Sequence, residues 1–164
     1  MKKYELTDET ITVHGKTLHR IKALVSFKVS RFPNVNAGAL GGYIEMESNL
    51  SQFGDAWVFG NAKVFGNAAV CDNAVVCGNA KVCENAVVSG NAKVCENAEV
   101  CDYAVVCGNA KVCENAVVSG NAKVCGNAVV SDNAVVCGNA NVFGNAKIFG
   151  NAGICDNAKE ELHG

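Results

Sequence analysis

From Val58 to Ile154 a branched aliphatic residue stands at every sixth position, through Val64, Val70 and Val76 to Ile148, with no insertion. After each comes Cys, Ser or Phe, then Gly, Asp or Glu, then Asn-Ala and one variable residue; Tyr103 alone replaces the asparagine. A period of six scatters valines around a 3.6-residue helical turn, so an amphipathic helix is excluded. A short strand fits: in "NAKVC" Ala and Val lie two apart on one face, and the variable residue and Cys point the other way. The Gly/Asp/Glu-Asn pair then predicts a corner, where Asn tolerates left-handed backbone angles and Gly has no side-chain penalty. One such unit cannot bury its own valine, so the units must stack into a solenoid.

These hexads resemble the hexapeptide-repeat family, whose pattern is aliphatic, small, two variable, small, variable. The resemblance implies an all-β fold, a single-stranded left-handed parallel β-helix with three hexads per coil; the handedness comes from the resemblance alone. With eighteen residues per coil, residue n lies over n−18 at the interstrand spacing of about 4.8 Å. Corner asparagines such as Asn61, Asn79 and Asn97 are then expected to stack as amide ladders.

The outward position after each valine sorts into three columns. The first face holds Phe59, Cys77, Cys95, Cys113, Ser131 and Phe149; the second Phe65, Cys83, Cys101, Ser119, Cys137 and Cys155; the third Cys71, Ser89, Cys107, Cys125 and Phe143. Reduced Cys packs as a small hydrophobe, which is the reading preferred for the ten cysteines. Disulfides between stacked pairs such as Cys77 and Cys95 are within reach, but reduced thiols are the default for a chain with no export signal. A row of thiols on one strand edge with no histidine is not a closed tetrahedral set, so no metal is expected. The third face, with Ala69, Val87, Val105, Cys107, Cys125 and Phe143, is nearly uncharged in its early coils, which marks it as an oligomer interface. The resemblance implies three prisms side by side, a homotrimer.

Residues 1–37 do not repeat. "KYELT" and "TITVHGKTLHRIKAL" alternate as short strands around "VHGKT", predicting a small N-terminal β cap that hides the first strand edge. The β-helix is expected over 38–158, with Leu40, Met46 and Gln52 in the six-residue register and Ile44 and Leu50 in alanine positions. Residues 159–164 are expected as a C-terminal tail. "RIKAL", "GALGGYIE" and "NLSQFGDAWV" are similar to the lead-in of phage and prophage hexapeptide-repeat proteins, a group often labelled transferases without a demonstrated reaction; Ala39 departs from it where an acidic residue is expected.

A net charge of −2 with 49% apolar residues gives no electrostatic case for a nucleic-acid duplex or an acidic membrane, and no apolar run spans a bilayer. The expected location is cytoplasmic. Hexapeptide acyltransferases need a histidine base, and His14, His19 and His163 all lie outside the repeat. A non-catalytic protein without cofactors is therefore expected, with acyl transfer as the remote alternative. Resemblance to phage β-helix oligomers implies sequestration of a small nucleotide signal. Arg20, Arg31, Lys28, His19 and Tyr43 in the cap would meet its phosphate, with Trp57 either stacking on a base or packing under the cap, and Lys93 above Lys111 forms a second candidate stripe. The competing reading is a structural scaffold without a small ligand.

Overall fold

A computed structural model describes residues 1–162. The periodic sequence folds into three parallel ladders of mostly two-residue strands, each strand paired with the one eighteen residues on: Val75 with Lys93 and Lys93 with Lys111, for example. The first sheet runs from Trp57–Val58 to Lys147–Ile148, the second includes Lys63–Val64 to Gly153–Ile154, and the third runs from Ala69–Val70 to Lys159–Leu162. Valines and alanines of the repeat fill one continuous core down the axis, and Val64 to Val142 and Ala62 to Ala140 are almost wholly enclosed. The expected β-solenoid is present, and its outward columns are those read from the sequence. The segment expected as a tail carries strand as well: Lys159–Leu162 pairs in parallel with Asn141–Gly144.

Of each corner pair it is the first residue that takes the left-handed backbone: glycine as expected, as at Gly78 (φ 65°), but also the acidic residues, as at Glu84 (φ 60°) and Glu96 (φ 61°), and no asparagine is among the positive-φ residues described. A left-handed non-glycine residue costs about 1–2 kcal/mol. The asparagine is thereby freed for two other bonds. Its N–H meets a carbonyl of the next coil, as in Asn79 N to Glu96 O at 2.7 Å. Its amide joins a ladder that runs Asn79, Asn97, Asn115, Asn133, Asn151 with each Nδ2 donating to the next Oδ1 at 3.2–3.4 Å. A second ladder is interrupted where Tyr103 stands, between Asn67–Asn85 and Asn121–Asn139. Aspartate at a corner gains a further partner: Asp72, Asp102 and Asp132 each accept, through Oδ2, the N–H of the glycine one coil on, at 3.0, 2.9 and 2.8 Å. The Gly150 amide is the main reason the Asp132 carboxyl sits below its ordinary range, with the Glu114 hydrogen bond second; that same bond pushes Glu114 up.

The N-terminal segment forms an antiparallel hairpin, β1 (Tyr4–Val13) and β2 (Lys16–Ala23), joined through β3 (Leu40–Ile44) to the second ladder. Here the register expectation fails. Ile44 pairs with Val64 and Leu50 with Val70, so these two occupy valine positions, twenty residues above their partners. Leu40 and Met46 are exposed instead. The extra two residues lie between Leu50 and Val58, and they let the larger Ile44 and Leu50 close the core. Gly41 and Gly42 explain "LGGYI". A Cβ on Gly41 would lie 2.6 Å from Ile21 Cγ1 and Val58 O, and one on Gly42 2.6 Å from Ala62 O and Val58 Cγ1.

Regular coils satisfy a carbonyl with an N–H from the coil before, as in Phe59 N to Val76 O. At the first coil this donor has to come from elsewhere, and the cap supplies side chains. Buried Asn49 donates Nδ2 to Gly66 O (3.0 Å) and Ala68 O (2.8 Å). The buried Lys3 ammonium donates to Gly54 O (3.2 Å) and Ala56 O (2.9 Å), and Tyr4 Oη bonds Glu47 O and Leu50 O. Burial lowers the Lys3 pKa to about 8, against the pull of Asp55.

Candidate functional site

The same segment that closes the core also drapes over two of the three faces. On the second face, the hairpin turns through His14 (φ 49°) and Gly15 (φ 76°) and packs Leu18, Tyr43, Phe65 and Cys83 into a separate apolar cluster edged by Ile11, Val13 and Cys101. Its tip leaves a cleft of about 360 Å³ between His14 and Lys16 above and Cys83, Glu84, Glu99, Cys101 and Asp102 below. Lys16 pairs with Glu45 at 3.2 Å, and Glu45 also accepts the Gly66 N–H. The cleft wall is thus acidic with a dithiol at its floor. The hydrogen bond that Cys83 donates to Cys101, with burial second, raises the Cys83 thiol, while Cys101, which accepts that bond, is lowered.

On the first face the covering element is the segment 24–39, pinned by the Phe27–Val35 bridge. Phe27 meets Trp57 edge-on at 5.3 Å, and Phe32 stacks on Phe59 at 5.3 Å. Lys93 Nζ stands 4.4 Å over the Phe32 ring, a cation–π contact that draws the lysine towards the loop. Between this loop and the asparagine ladder lies a small polar cleft of about 60 Å³, lined by Ser30, Arg31, Asn73, Asn91, Lys93 and Asn109.

The six cap residues expected to meet a phosphate or a base therefore separate. Arg20, His19 and Tyr43 come together on the hairpin side. There Arg20 Nη1 donates to Tyr43 Oη at 2.9 Å and contacts Glu9 at 3.3 Å, while His19 Nδ1 lies 3.0 Å from Thr7 O. Burial works against the Arg20 charge, but the Tyr43 hydroxyl and Glu9 more than offset it and hold the guanidinium above its ordinary range. Its Nη1 is committed inside the cap, while its buried Nε has no hydrogen-bond partner. Arg31 and exposed Lys28 belong to the other side, on the first-face loop. Trp57 is fully enclosed beneath Phe27 and Tyr4, so it cannot stack on a base; it anchors the loop instead. Lys93 belongs to the second candidate stripe; the ladder asparagines were not among the expected ligand residues. The signal at this cleft is Phe59, an aromatic ring at the head of an outward column that continues as Cys77, Cys95 and Cys113, next to the cap segment that covers it.

The third face is different. Among the described residues, no ring contact, ion pair or side-chain hydrogen bond joins the first 39 residues to its outward row. Ala69, Val87, Val105, Cys107, Cys125 and Phe143 stand there half-buried. The cysteines also depart from expectation at one place: Cys137 and Cys155, stacked on the second face, form a disulfide with Cα atoms 4.5 Å apart, which the parallel register permits. Eight thiols are free, Cys83, Cys95 and Cys113 among them buried, and burial carries Cys113 up to about 11. Among the described residues no group of three or more His, Cys, Asp or Glu is arranged to hold a metal, and no helix is long and apolar enough to cross a membrane. His163 lies outside the described residues.

A family model described as the YdcK β-solenoid repeat matches residues 122–138, just under one coil of the regular region. No curated protein matches the chain.

Proposed function

We propose that this β-solenoid repeat protein is a non-catalytic interaction scaffold that assembles with copies of itself through its third face. One observation carries the reading. The N-terminal segment spends its apolar side chains on the first and second faces, and it leaves bare the face whose upper rows, Ala69, Val87 and Val105, carry no charge. A flat, rigid, uncharged sheet of this kind gains stability by meeting its own copy, and a trimer of prisms is the arrangement we favour. The absence of catalysis is supported by the histidines: His19 is tied to the Thr7 carbonyl, and His14 stands beside Phe65 with ring centroids 6.1 Å apart.

Light scattering on the purified protein tests this. The wild type is expected at an oligomeric mass, and Val87→Glu with Val105→Glu, placing stacked like charges on the third face, at the monomer mass with an unchanged circular dichroism spectrum. A monomeric wild type, or a double variant that keeps the oligomer, overturns the proposal.

The first-face cleft favours a second reading, sequestration of a small anionic ligand such as a phosphate ester. It rests on Arg31 and Lys93 facing one polar cavity whose remaining walls are amides and a hydroxyl. Inorganic phosphate titrated into the protein is expected to shift the Asn73 and Asn91 amide resonances, and Arg31→Ala with Lys93→Ala to abolish the shift. Shifts confined to the Arg20 side of the cap would move the ligand elsewhere.

A further inference from the structure

We propose that Cys77, Cys95 and Cys113 form a thiol–disulfide exchange column on the first face, loaded by low-molecular-weight disulfides, along which one disulfide steps between neighbouring coils. Three observations lead here. First, the three cysteines occupy one outward column in unbroken parallel register, because Val75, Lys93 and Lys111 beside them are successive ladder partners. Their spacing is even: Cys77 N to Val94 O and Cys95 N to Val112 O are both 2.9 Å. Second, the fold already accepts a disulfide in this relationship. Cys137 and Cys155 are bonded across the same eighteen-residue separation, and the ladder bond Cys137 N to Ile154 O persists there at 2.8 Å. Third, the register places the Cys95 side chain between those of Cys77 and Cys113 along the axis. Displacement at a disulfide sulfur needs the attacking thiolate opposite the leaving one, and a thiol on either side of Cys95 is the order of groups that such a displacement requires.

Loading begins at Cys77, the most exposed of the three, since Cys95 and Cys113 are buried. Its thiolate is helped by the hydrogen bond from Cys95 and, after the opposing cost of burial, by the nearby Lys93 and Lys111 charges. It attacks a small disulfide such as oxidised glutathione; a mixed disulfide forms, and one glutathione thiolate leaves. Cys95 gives up its proton and attacks the Cys77 sulfur, so the Cys77–Cys95 bond forms and the second glutathione leaves. Two electrons have passed from the protein pair to one glutathione disulfide. Cys113 then attacks Cys95: the Cys95–Cys113 bond forms, the Cys77–Cys95 bond breaks, and Cys77 takes up the proton that Cys113 releases. This last step involves no net oxidation. The pairs Cys83–Cys101 and Cys107–Cys125 stack in the same way but have no third thiol next to them, because Ser119 follows Cys101, Phe65 precedes Cys83, Ser89 precedes Cys107 and Phe143 follows Cys125. They form bonds that stay where they are made.

The experiment treats the reduced full-length protein with oxidised glutathione, quenches in acid, alkylates and maps the linkages by mass spectrometry. Cleavage after Lys81, Lys93 and Lys111 puts Cys77, Cys95 and Cys113 on different peptides. Wild type is expected to show Cys77–Cys95 early and both linkages later. Cys113→Ser is expected to lose the second linkage and keep the first, while Cys77→Ser slows the appearance of any first-face disulfide. Serine is tolerated in these outward columns, at Ser131 on the same face, so the variants are expected to fold. The proposal is overturned if the three thiols remain fully alkylatable while Cys83–Cys101 oxidises, if glutathione adducts persist unresolved, if the linkages join two chains, or if wild type never passes beyond Cys77–Cys95.

Discussion

Replacing Asn49 with alanine is expected to cost about 3–5 kcal/mol and to lower the thermal midpoint of the whole solenoid, although the residue lies outside the repeat. The side chain is fully enclosed and makes four hydrogen bonds to main chain. Its Oδ1 accepts from the N–H groups of Glu45 (3.1 Å) and Met46 (2.9 Å), and its Nδ2 donates to the carbonyls of Gly66 and Ala68. Truncation leaves one donor, the Met46 N–H, and two acceptors, Gly66 O and Ala68 O, without partners next to the top of the core, the Glu45 N–H keeping its bond to Val64 O at 3.1 Å; each unpaired group costs about 1–3 kcal/mol before any water enters. Part of that is recovered by hydration, hence the lower total. Asn49→Asp separates the roles. It keeps the two acceptor bonds but turns a carboxylate oxygen towards two carbonyls, and is expected to be at least as damaging. Denaturant melts of the two variants beside wild type measure both; a cost under about 1 kcal/mol for Asn49→Ala would mean that the first coil is satisfied by some other donor.

Asn49 also shows where the sequence stops being readable. The solenoid, its three columns, the amide ladders and the burial of every repeat valine follow from a period of six, because a repeated unit has one solution and each copy confirms it. The cap has no second copy. Its alternating strands were legible, as was the turn at "VHGKT", yet nothing in the spacing of Ile44 and Leu50 announces that the first coil holds two extra residues. That is decided by packing: larger aliphatic side chains close the core end, and Gly41 and Gly42 let the chain pass where no side chain fits. The site residues fared similarly. Arg20, Arg31, Lys28, His19 and Tyr43 are grouped in the sequence only by lying in the cap, whereas Arg20 and Tyr43 turn towards Glu9 within it and Arg31 lies with the first-face loop. Of the two readings of Trp57, packing under the cap is the one its enclosure beneath Phe27 supports, and the covering loop is a tertiary fact that only the aromatic rows at Phe59 and Phe65 hint at. The corner pair was legible, but not that its first residue alone, Asp or Glu as well as Gly, takes the left-handed angle while the asparagine side chain bonds its neighbour along the axis.

The second large effect concerns where along the axis a charge is buried. Val106→Asp is expected to unfold the protein or to cost upwards of about 4 kcal/mol, whereas Ile154→Asp is expected to cost less than half as much. Both positions carry the same letter of the hexad and both point inward. Val106 is wholly enclosed, with Val88 one coil before it and Val124 one coil after, so an aspartate there loses its hydration on every side and finds no donor, since the neighbouring amides are committed to the ladder. Protonation of the carboxyl removes the charge but still leaves a polar group among alanines and valines, so lowering the pH relieves the cost only in part. Ile154 is partly exposed, and an aspartate there keeps some of its water. The contrast follows from the one-dimensional build of the fold, in which each coil is stabilised by the coil on either side and a break in the middle removes two interfaces at once. Urea melts followed by circular dichroism decide it. Equal costs at the two positions would mean that the solenoid unfolds only as a single unit with no gradient along its axis, and a cooperative Val106→Asp variant of near wild-type midpoint would contradict the enclosed core itself.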